Sequence, residues 1–197
     1  MLVQASLESD PSLESALGYS YDDNGNILTG GGRSYSYTSY NLPSTITRNG
    51  QTTTLLYGAD HERAKEIAAN GTITLSLNPR LDSGAHYDQI THPNGVVEKV
   101  STLYSDKRPI AILSSNAQGQ PGVTILRYIH VDAQGSIAAL SEGNPTTQIV
   151  VERYAYDAWG RRRNPNGTDD ASDALQTTHT DYGYTGHKHL DGAGCCC

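Results

Sequence analysis

The chain has 197 residues, of which 36% are hydrophobic, and a formal net charge of −7. Its length suits one domain and excludes a large two-domain enzyme. The excess of acidic residues opposes binding to nucleic acid by phosphate neutralisation, so we expect no nucleic-acid partner. The composition, with 13 tyrosines, 20 glycines and no phenylalanine, is typical of a thin β-sheet. A tyrosine ring can cover a half-exposed strand while its hydroxyl stays in contact with water. We therefore predict an all-β protein.

The N-terminal segment, residues 1–17, is predicted to be polar and poorly defined. It has neither the basic start nor the continuous apolar stretch of a secretory signal. No apolar run reaches the roughly 18 residues that a membrane-spanning helix needs, so we expect no membrane insertion.

A repeated pattern of tyrosine, aspartate and glycine runs through residues 18–160. Its three best copies are residues 19–27, 128–137 and 154–160. Residues two apart in a strand point to the same face, so the paired tyrosines of a copy are predicted to share one face. The predicted repeat residues are Tyr19, Tyr21, Asp22, Gly25, Tyr128, Asp132, Gly135, Tyr154, Tyr156, Asp157, Trp159 and Gly160.

Each repeat is predicted to be a β-hairpin. Its aspartate stands three residues before its glycine, the arrangement that a type I turn prefers. The aspartate oxygen can accept hydrogen bonds from backbone N–H groups of the turn, and glycine tolerates a positive φ. Ile27 and Ile137 are then expected to begin the returning strands.

Weaker copies fill the spaces between the three best ones. Tyr35 and Tyr37 keep the paired rings, and residues 60–63 stand where the Asp-x-x-Gly turn is expected. Residues 61–69 are compatible with either a short helix or a strand. Asn-Gly pairs, whose residues both tolerate the left-handed region, predict further hairpin turns. These pairs are Asn49-Gly50, Asn70-Gly71 and Asn94-Gly95.

The C-terminal part divides into a polar segment and a final strand-like segment. Residues 161–181 contain few apolar side chains and no strand period, so we predict a long surface loop. Residues 182–197 recover strand character and end in Cys195, Cys196 and Cys197. These cysteines cannot form disulfides within the first 194 residues, and we interpret them as an adventitious tail, with surface cross-linking or metal capture as alternatives.

Residues 154–163 resemble the YD-repeat family, also called the Rhs (rearrangement hotspot) family. Residues 128–137 resemble the segment that precedes the last YD motif of the Rhs core. Residues 183–191 resemble the Gly-Tyr-Thr-Gly-His strand that opens the conserved end of that core. The matching core-end residues are Gly183, Tyr184, Gly186 and His187.

The resemblance implies a β-ribbon that spirals as an open sheet and forms part of a hollow β-shell. Such shells enclose a C-terminal, often toxic, domain, and related shells occur in insecticidal toxin complexes and in the teneurin adhesion proteins. Family members are typically secreted or lie at the cell surface. The implied partners are the rest of the shell and its toxin, and we expect the chain to be truncated before the family's self-cleavage segment.

Candidate catalytic and metal sites are few. His187, His189 and Asp191 could share one strand face, with residues 195–197 near enough to complete a zinc site. The resemblance instead makes His187 a shell residue, and residues 60–62 fit a turn with solvated charges better than a catalytic cluster. The sequence has no Gly-x-Ser-x-Gly motif and no phosphate-binding loop. We predict no catalytic residues, no metal and no cofactor, and expect that the protein is not an enzyme.

The leading functional hypothesis is a structural fragment of an Rhs-type shell that encapsulates a C-terminal toxin and helps deliver it in bacterial competition or virulence. The alternative is a cell-surface adhesion or carbohydrate-binding β-repeat module, because exposed aromatic rows also bind sugars.

Overall fold

A computed structural model describes residues 18–77, 85–106, 108–144, 146–170, 175, 179–190 and 195–196. The regular structure in these residues is strand, apart from 3₁₀ turns at Ala117–Gly119 and Tyr184–Gly186, which confirms the predicted all-β class. None of the described segments forms a helix long and apolar enough to cross a membrane. The strands are β1 (Ser20–Tyr21), β2 (Ile27–Gly30), β3 (Arg33–Tyr37), β4 (Pro43–Arg48), β5 (Gln51–Tyr57), β6 (Arg63–Ile67), β7 (Ile73–Leu77), β8 (Ala85–Thr91), β9 (Val97–Ser105), β10 (Arg108–Ser115), β11 (Thr124–Val131), β12 (Ile137–Asn144), β13 (Thr147–Arg153), β14 (Ala155–Tyr156), β15 (Arg162–Arg163), β16 (His189–Leu190) and β17 (Cys195–Cys196).

The strands β1 to β13 form an open antiparallel sheet whose order follows the chain. Each strand is hydrogen-bonded to its sequence neighbours, and β1 and β13 are the first and last strands of that order. Two short antiparallel pairs, β14 with β15 and β16 with β17, lie outside this sheet. The prediction of consecutive antiparallel hairpins is therefore confirmed.

The chain divides into two compact units, residues 1–54 and 55–197. Among the described residues of the first unit, Ile46 of β4 is a buried hydrophobic residue and stands opposite Thr53 of β5. Thr53 is also buried, so this cross-strand pair contributes to the interior of the unit.

The second unit has its core in the sheet strands β9 to β12. Ile112 of β10 packs with Ile137 and Leu140 of β12, and all three side chains are fully buried. Val100, Ile129, Val131, Tyr154 and Tyr182 pack against them. Because Tyr182 belongs to the C-terminal part of the chain, that part shares the sheet's core.

One turn recurs nine times in the described residues. In each copy the first residue donates its N–H to the carbonyl of the fifth, and the fourth residue donates its N–H to the carbonyl of the first. The fourth residue has a φ between 61° and 86°. This geometry is the three-residue hairpin loop built from a type I turn and a left-handed residue, except in the copy at residues 183–187, where Thr185 also has a positive φ of 48°. The copies are residues 22–26, 38–42, 58–62, 68–72, 92–96, 132–136, 157–161, 164–168 and 183–187.

All three Asn-Gly pairs lie in hairpin turns, as predicted, but the turns are of two kinds. Asn49 and Gly50 both have positive φ, at 51° and 75°, and form the predicted two-residue turn between β4 and β5. Gly71 and Gly95, by contrast, are the fourth residues of the nine-fold turn, and the asparagine before each stays outside the left-handed region. The physical reason is that the side-chain oxygens of these asparagines accept hydrogen bonds from the N–H groups two residues ahead.

The predicted return strands begin where expected, at Ile27 and Ile137. The turn predicted at residues 60–63 begins two residues earlier, at Gly58. Gly58 is the first residue of that turn and His61, with a φ of 61°, takes the position of the glycine. Within the ambiguous residues 61–69, Arg63–Ile67 form strand β6 rather than a helix.

The predicted surface loop at residues 161–181 has more structure than its composition indicates. It contains β15, which pairs with β14, and the hairpin turn at residues 164–168. Arg162 and Asp170 are buried, each 9% exposed. The boundaries 18–160, 161–181 and 182–197 stay predictions, and residues 1–17 lie outside the described residues.

Candidate functional site

The three predicted repeat aspartates hold their turns in the same way. One carboxylate oxygen of Asp22, Asp132 or Asp157 accepts N–H hydrogen bonds from the second and fourth residues that follow, at 2.8–2.9 Å. At Asp22, the side-chain amide of Asn26 is the largest of several hydrogen-bonding causes that lower the pKa below its ordinary value. These carboxylates therefore satisfy backbone donors of the turn.

The matching glycines occupy the left-handed position of each turn. The φ angles are 83° at Gly25, 86° at Gly135 and 81° at Gly160. A side chain with a Cβ atom is strained at such angles, which accounts for the Asp-x-x-Gly spacing of the repeat.

The repeat tyrosines differ in burial. Tyr19 and Tyr21 are exposed, at 37% and 42%, whereas Tyr154 and Tyr156 are partly buried beneath the Arg162 guanidinium, which lies 5.5 and 5.9 Å from their ring centroids. Tyr128 of β11 is partly buried, and Trp159, at the tip of the turn at residues 157–161, is 89% exposed.

The core-end motif docks on two repeat turns. The Ile137 N–H donates to the Gly183 carbonyl at 3.1 Å, and the Thr185 N–H donates to Ser136 Oγ at 3.1 Å. Ser136 closes the turn that begins at Asp132, and Ile137 begins β12. A Cβ atom on Gly183 would lie 2.5 Å from His189 Nε2, so only glycine fits this close approach.

Aromatic side chains complete this contact. The Tyr156 hydroxyl donates to the Ile137 carbonyl at 2.9 Å, and its ring lies 5.8 Å from Tyr184 and 5.7 Å from His189. His189 Nε2 in turn accepts the Tyr184 N–H at 3.1 Å. The Tyr184 hydroxyl donates to the Ala158 carbonyl at 3.3 Å. We call residues 182–190 the docked segment, because these contacts attach it to turns at residues 132–136 and 157–161.

The two histidines of the docked segment have different partners. His187 is exposed and its Nδ1 lies 2.8 Å from Thr185 Oγ1, while His189 is buried against Tyr184 and Tyr156. Gly186 is the fourth residue of the turn at residues 183–187, with a φ of 75°. No three histidine, cysteine, aspartate or glutamate side chains come together as metal ligands in the part of the chain that the structure describes.

A buried ionic cluster attaches the same segment to β7 and β8. Lys188 Nζ donates to both carboxylate oxygens of Asp88 at 2.9 Å and to Ser76 Oγ at 3.1 Å. Ser76 Oγ lies 2.6 Å from Asp88 Oδ1, and His86 Nε2 lies 2.9 Å from Asp88 Oδ2. We call these four residues the Lys188 cluster.

Strand geometry brings these polar groups to one place. Ser76 and Asp88 are directly opposite in the β7–β8 pair, and His86 precedes Asp88 by two residues on the same face of β8. Lys188 then arrives from 100 residues further along the chain, with its Nζ 5.3 Å from the centroid of the Tyr182 ring.

The electrostatics of the cluster favour a fixed ion pair. Burial opposes ionisation of Asp88, but the hydrogen bond from His86 and the Lys188 charge outweigh it and hold the pKa of Asp88 well below its ordinary value. Burial beside the Asp88 charge raises the pKa of Tyr182 and raises that of Tyr104 to about 12. A carboxylate of such low basicity is a weak general base, so the cluster is suited to attaching the segment.

A cavity of about 430 Å³ lies beside the cluster, between β6–β9 and residues 179–182. Its wall includes four carboxylates, of which Asp88 is paired with Lys188. Glu98 is held similarly, because its Oε2 lies 2.8 Å from His92 Nε2 and accepts the Gln118 N–H at 3.0 Å. The Glu98 carboxylate therefore stabilises the loop at Ala117–Gly119. The cavity is polar because such groups line its wall.

Sequence reasoning missed the Lys188 cluster. None of its members belongs to the predicted repeat residues or to the core-end motif. The available signal was the alternation of His86 and Asp88 on one face of a strand, which by itself is equally typical of a solvated face. Their burial depends on a segment 100 residues away, which no local pattern shows.

No family model matches the chain. It is 25% identical over 177 residues to the tRNA3(Ser)-specific nuclease WapA of Bacillus spizizenii, and 27% identical over 184 residues to the tRNA nuclease WapA of Bacillus subtilis. Each match covers 89% of this chain and 7% of the relative, so the chain spans a small part of these proteins.

The expectation that the protein is not an enzyme is contradicted by these relatives, because both are named as tRNA nucleases. The sequence argument for that expectation depended on the absence of a familiar catalytic motif within 197 residues. The stretch that this chain matches is 7% of either nuclease, so the missing motif excludes nothing outside that stretch.

Solved structures of toxin complexes share the fold. A TcdB2-TccC3 crystal structure matches 95% of this chain with a TM-score of 0.60 and 14% identity, and the Photorhabdus luminescens Tc holotoxin pore matches 94% with a TM-score of 0.58 and 14% identity. The chain covers 9% of each of those chains. The fold is thus that of Rhs shell proteins, and the similarity to WapA supports an Rhs-type relationship for this chain.

Proposed function

We propose that this chain forms one section of an Rhs-type shell that encloses a toxin and helps deliver it. The toxin and the rest of the shell are its proposed partners, and the assembled protein is proposed to act outside the cell or at its surface. Support comes from the sheet of consecutive hairpins, the fold shared with Tc toxin components, and the relatives named as nucleases. The core-region assignment of residues 183–191 belongs to the same proposal.

The observation that carries the proposal is the attachment of the docked segment to the sheet. Single hairpins bury little apolar area, so a thin sheet gains stability from contacts between distant parts of the chain. Here the docked segment provides two such contacts, at the turn of residues 132–136 and at Asp88 of β8. In a shell, these contacts would fix where the chain that follows begins its path along the sheet.

The test is protease protection in the full-length gene product that contains this chain. We expect the region after residue 190 to resist limited trypsin digestion in the intact protein. Lys188→Met should make that region digestible, because the segment that leads into it is no longer held at Asp88. Lys99→Met, at an exposed lysine of β9, is the matched control and should leave protection unchanged. Rapid digestion of the following region in the wild type would contradict enclosure. Equal protection in Lys188→Met would contradict the role given to Lys188.

A second candidate function, carbohydrate binding at a cell surface, is favoured by Trp159. Its indole is 89% exposed at the tip of a turn, where an aromatic face is open to a ligand. We expect binding on a glycan array to be lost in Trp159→Ala and retained in Leu126→Ala, a change at a similarly apolar exposed residue of β11. An array on which the wild-type protein binds no glycan removes this candidate.

A further inference from the structure

The chain contains five Asn-Gly pairs, and the asparagine of each is exposed. Asparagine is a chemically labile residue, because its side-chain amide carbon can be attacked by the backbone nitrogen of the next residue. Glycine leaves that nitrogen unobstructed, since it has no side chain. The residue after the asparagine is the same in all five pairs, so a difference in their reactivity has to come from the fold. The pairs are Asn24-Gly25, Asn49-Gly50, Asn70-Gly71, Asn94-Gly95 and Asn166-Gly167.

Four of the pairs occupy the third and fourth positions of the nine-fold turn. In each of these turns the glycine N–H donates to the carbonyl of the first residue, at 2.7–3.0 Å. The accepting carbonyls belong to Asp22, Ala68, His92 and Asn164. The glycine nitrogen has to lose this hydrogen bond before it can give up its proton and attack an amide carbon, so these turns protect the pairs that they contain.

The pair Asn49-Gly50 lies in a different turn. It forms the two-residue loop between β4 and β5, in which Arg48 pairs with Gln51. None of the backbone hydrogen bonds in the turns and loops of the described residues uses the Gly50 N–H. Both residues of the loop are exposed, and a Cβ atom on Gly50 would meet nothing within 4 Å, so solvent reaches the loop. The Gly50 nitrogen is therefore the accessible nucleophile among the five.

We propose that Asn49 is a site of self-modification, at which the folded chain deamidates faster than at the other four Asn-Gly pairs. The Gly50 nitrogen gives its proton to solvent and forms a bond to Cγ of Asn49. The bond from Cγ to Nδ2 breaks and ammonia leaves, which closes a cyclic imide (succinimide). Water then opens the imide. Cleavage of the bond from nitrogen to Cγ gives aspartate, and cleavage of the bond from nitrogen to the backbone carbonyl carbon gives isoaspartate.

The isoaspartate product changes the loop that joins β4 and β5. Its main chain runs through Cγ, so the loop gains one methylene group in addition to the new negative charge. Because loop length and turn type set the register of a hairpin, the change acts on the strand pair that places Ile46 opposite Thr53. The contact nearest to the loop is that of Thr47 Oγ1 with Thr52 Oγ1, which are 2.8 Å apart. We expect the modification to loosen this hairpin progressively and irreversibly.

The experiment is peptide mapping by mass spectrometry of the purified chain, kept in mildly alkaline buffer at physiological temperature and sampled over several weeks. Conversion of amide to acid is measured separately at each of the five asparagines. We expect the rate at Asn49 to be about three- to tenfold higher than at each of the others, the factor that one net hydrogen bond contributes. The same chain unfolded in urea is the matched control, and there the five rates should come together because the turns are lost.

A rate at Asn49 that equals or falls below that of any other pair in the folded chain would overturn the proposal. So would an order of rates that is the same with and without urea, because the selectivity would then not come from the fold. Hydrogen exchange on the modified protein, separated by anion exchange, measures the consequence, and we expect faster exchange of residues 43–57 than in the unmodified protein. Unchanged exchange of these residues would refute the expected loosening. This modification does not depend on the shell function, which is tested separately by protease protection.

Discussion

Replacing Lys188 by methionine tests the attachment of the docked segment most directly. The change removes the ammonium group from a buried ion pair in which the side chains of Lys188 and Asp88 are 13% and 8% exposed. Removing one partner of a buried pair costs about 3–5 kcal/mol, because the remaining charge is left uncompensated. His86 and Ser76 still contact the Asp88 carboxylate, so we expect the lower end of this range, about 3 kcal/mol.

Thermal melting followed by circular dichroism measures this loss. For a chain of this size, about 3 kcal/mol corresponds to a Tm lower by about 6–12 °C. Lys99→Met, at an exposed lysine, should stay within about 0.5 kcal/mol of the wild type. The double variant Lys188→Met with Asp88→Asn should be less destabilised than the sum of the single variants, because neither charge is then buried alone.

The pH dependence gives a second, independent measurement. The folded pKa of Asp88 is lowered from 3.8, so its contribution to stability is present above pH 3.8 and is lost as the pH falls below that value. Without Lys188 the folded pKa moves back toward 3.8, so the decline in stability with acid becomes shallower. A Tm change below about 2 °C together with an unchanged acid profile would refute the reasoning.

Three further predictions concern the turns and the buried tyrosines. Gly183→Ala should lower stability by about 1–3 kcal/mol in chemical denaturation and speed tryptic cleavage after Lys188, because its Cβ would lie 2.5 Å from His189 Nε2. Gly58→Ala, at the same turn position with only a 3.8 Å contact, should do neither. Gly160→Val should lower the stability by at least about 1 kcal/mol, because the φ of Gly160 is 81°. Asp157→Asn should cost less, because its amide oxygen can still accept the hydrogen bonds of the turn. Thermal melts that rank the two variants in reverse would contradict the assigned turn. Raising the pH from 10 to about 12 should destabilise the fold, because Tyr104 has its pKa raised from 10.0 to about 12 and stays neutral when buried; a flat alkaline stability profile would contradict this.

The repeat turns show how far local sequence reasoning reaches in this chain. Asp22, Asp132 and Asp157 could be placed because the aspartate, the glycine and the returning strand all lie within six residues. The turn at residues 58–62 was misplaced because glycine replaces the aspartate and His61 replaces the glycine, so neither chemical marker is present. Its backbone hydrogen bonds are nevertheless the same, since the two flanking strands require them.

Contacts between distant residues could not be predicted in the same way. Ser76, His86 and Asp88 have the period of an ordinary strand, and Lys188 has the sequence context of a solvated charge. What changes their role is the docking of residues 182–190 across β7 and β8, which buries the carboxylate and gives it a cation. The predicted core-end motif contributes to this docking, because Gly183 allows the close approach of the segment to Tyr156.

Gly183 and Lys188 therefore act together although the sequence presents them as unrelated. Gly183 leaves room for Tyr156 and for the segment's own His189, and Lys188 sets the position of the segment along β8 through both carboxylate oxygens of Asp88. Both contacts restrain the same segment of nine residues, which is also held by Tyr182 in the core and by the buried Leu190. Because they restrain one segment, their free energies should be coupled, and a double variant should lose less stability than the two single losses combined.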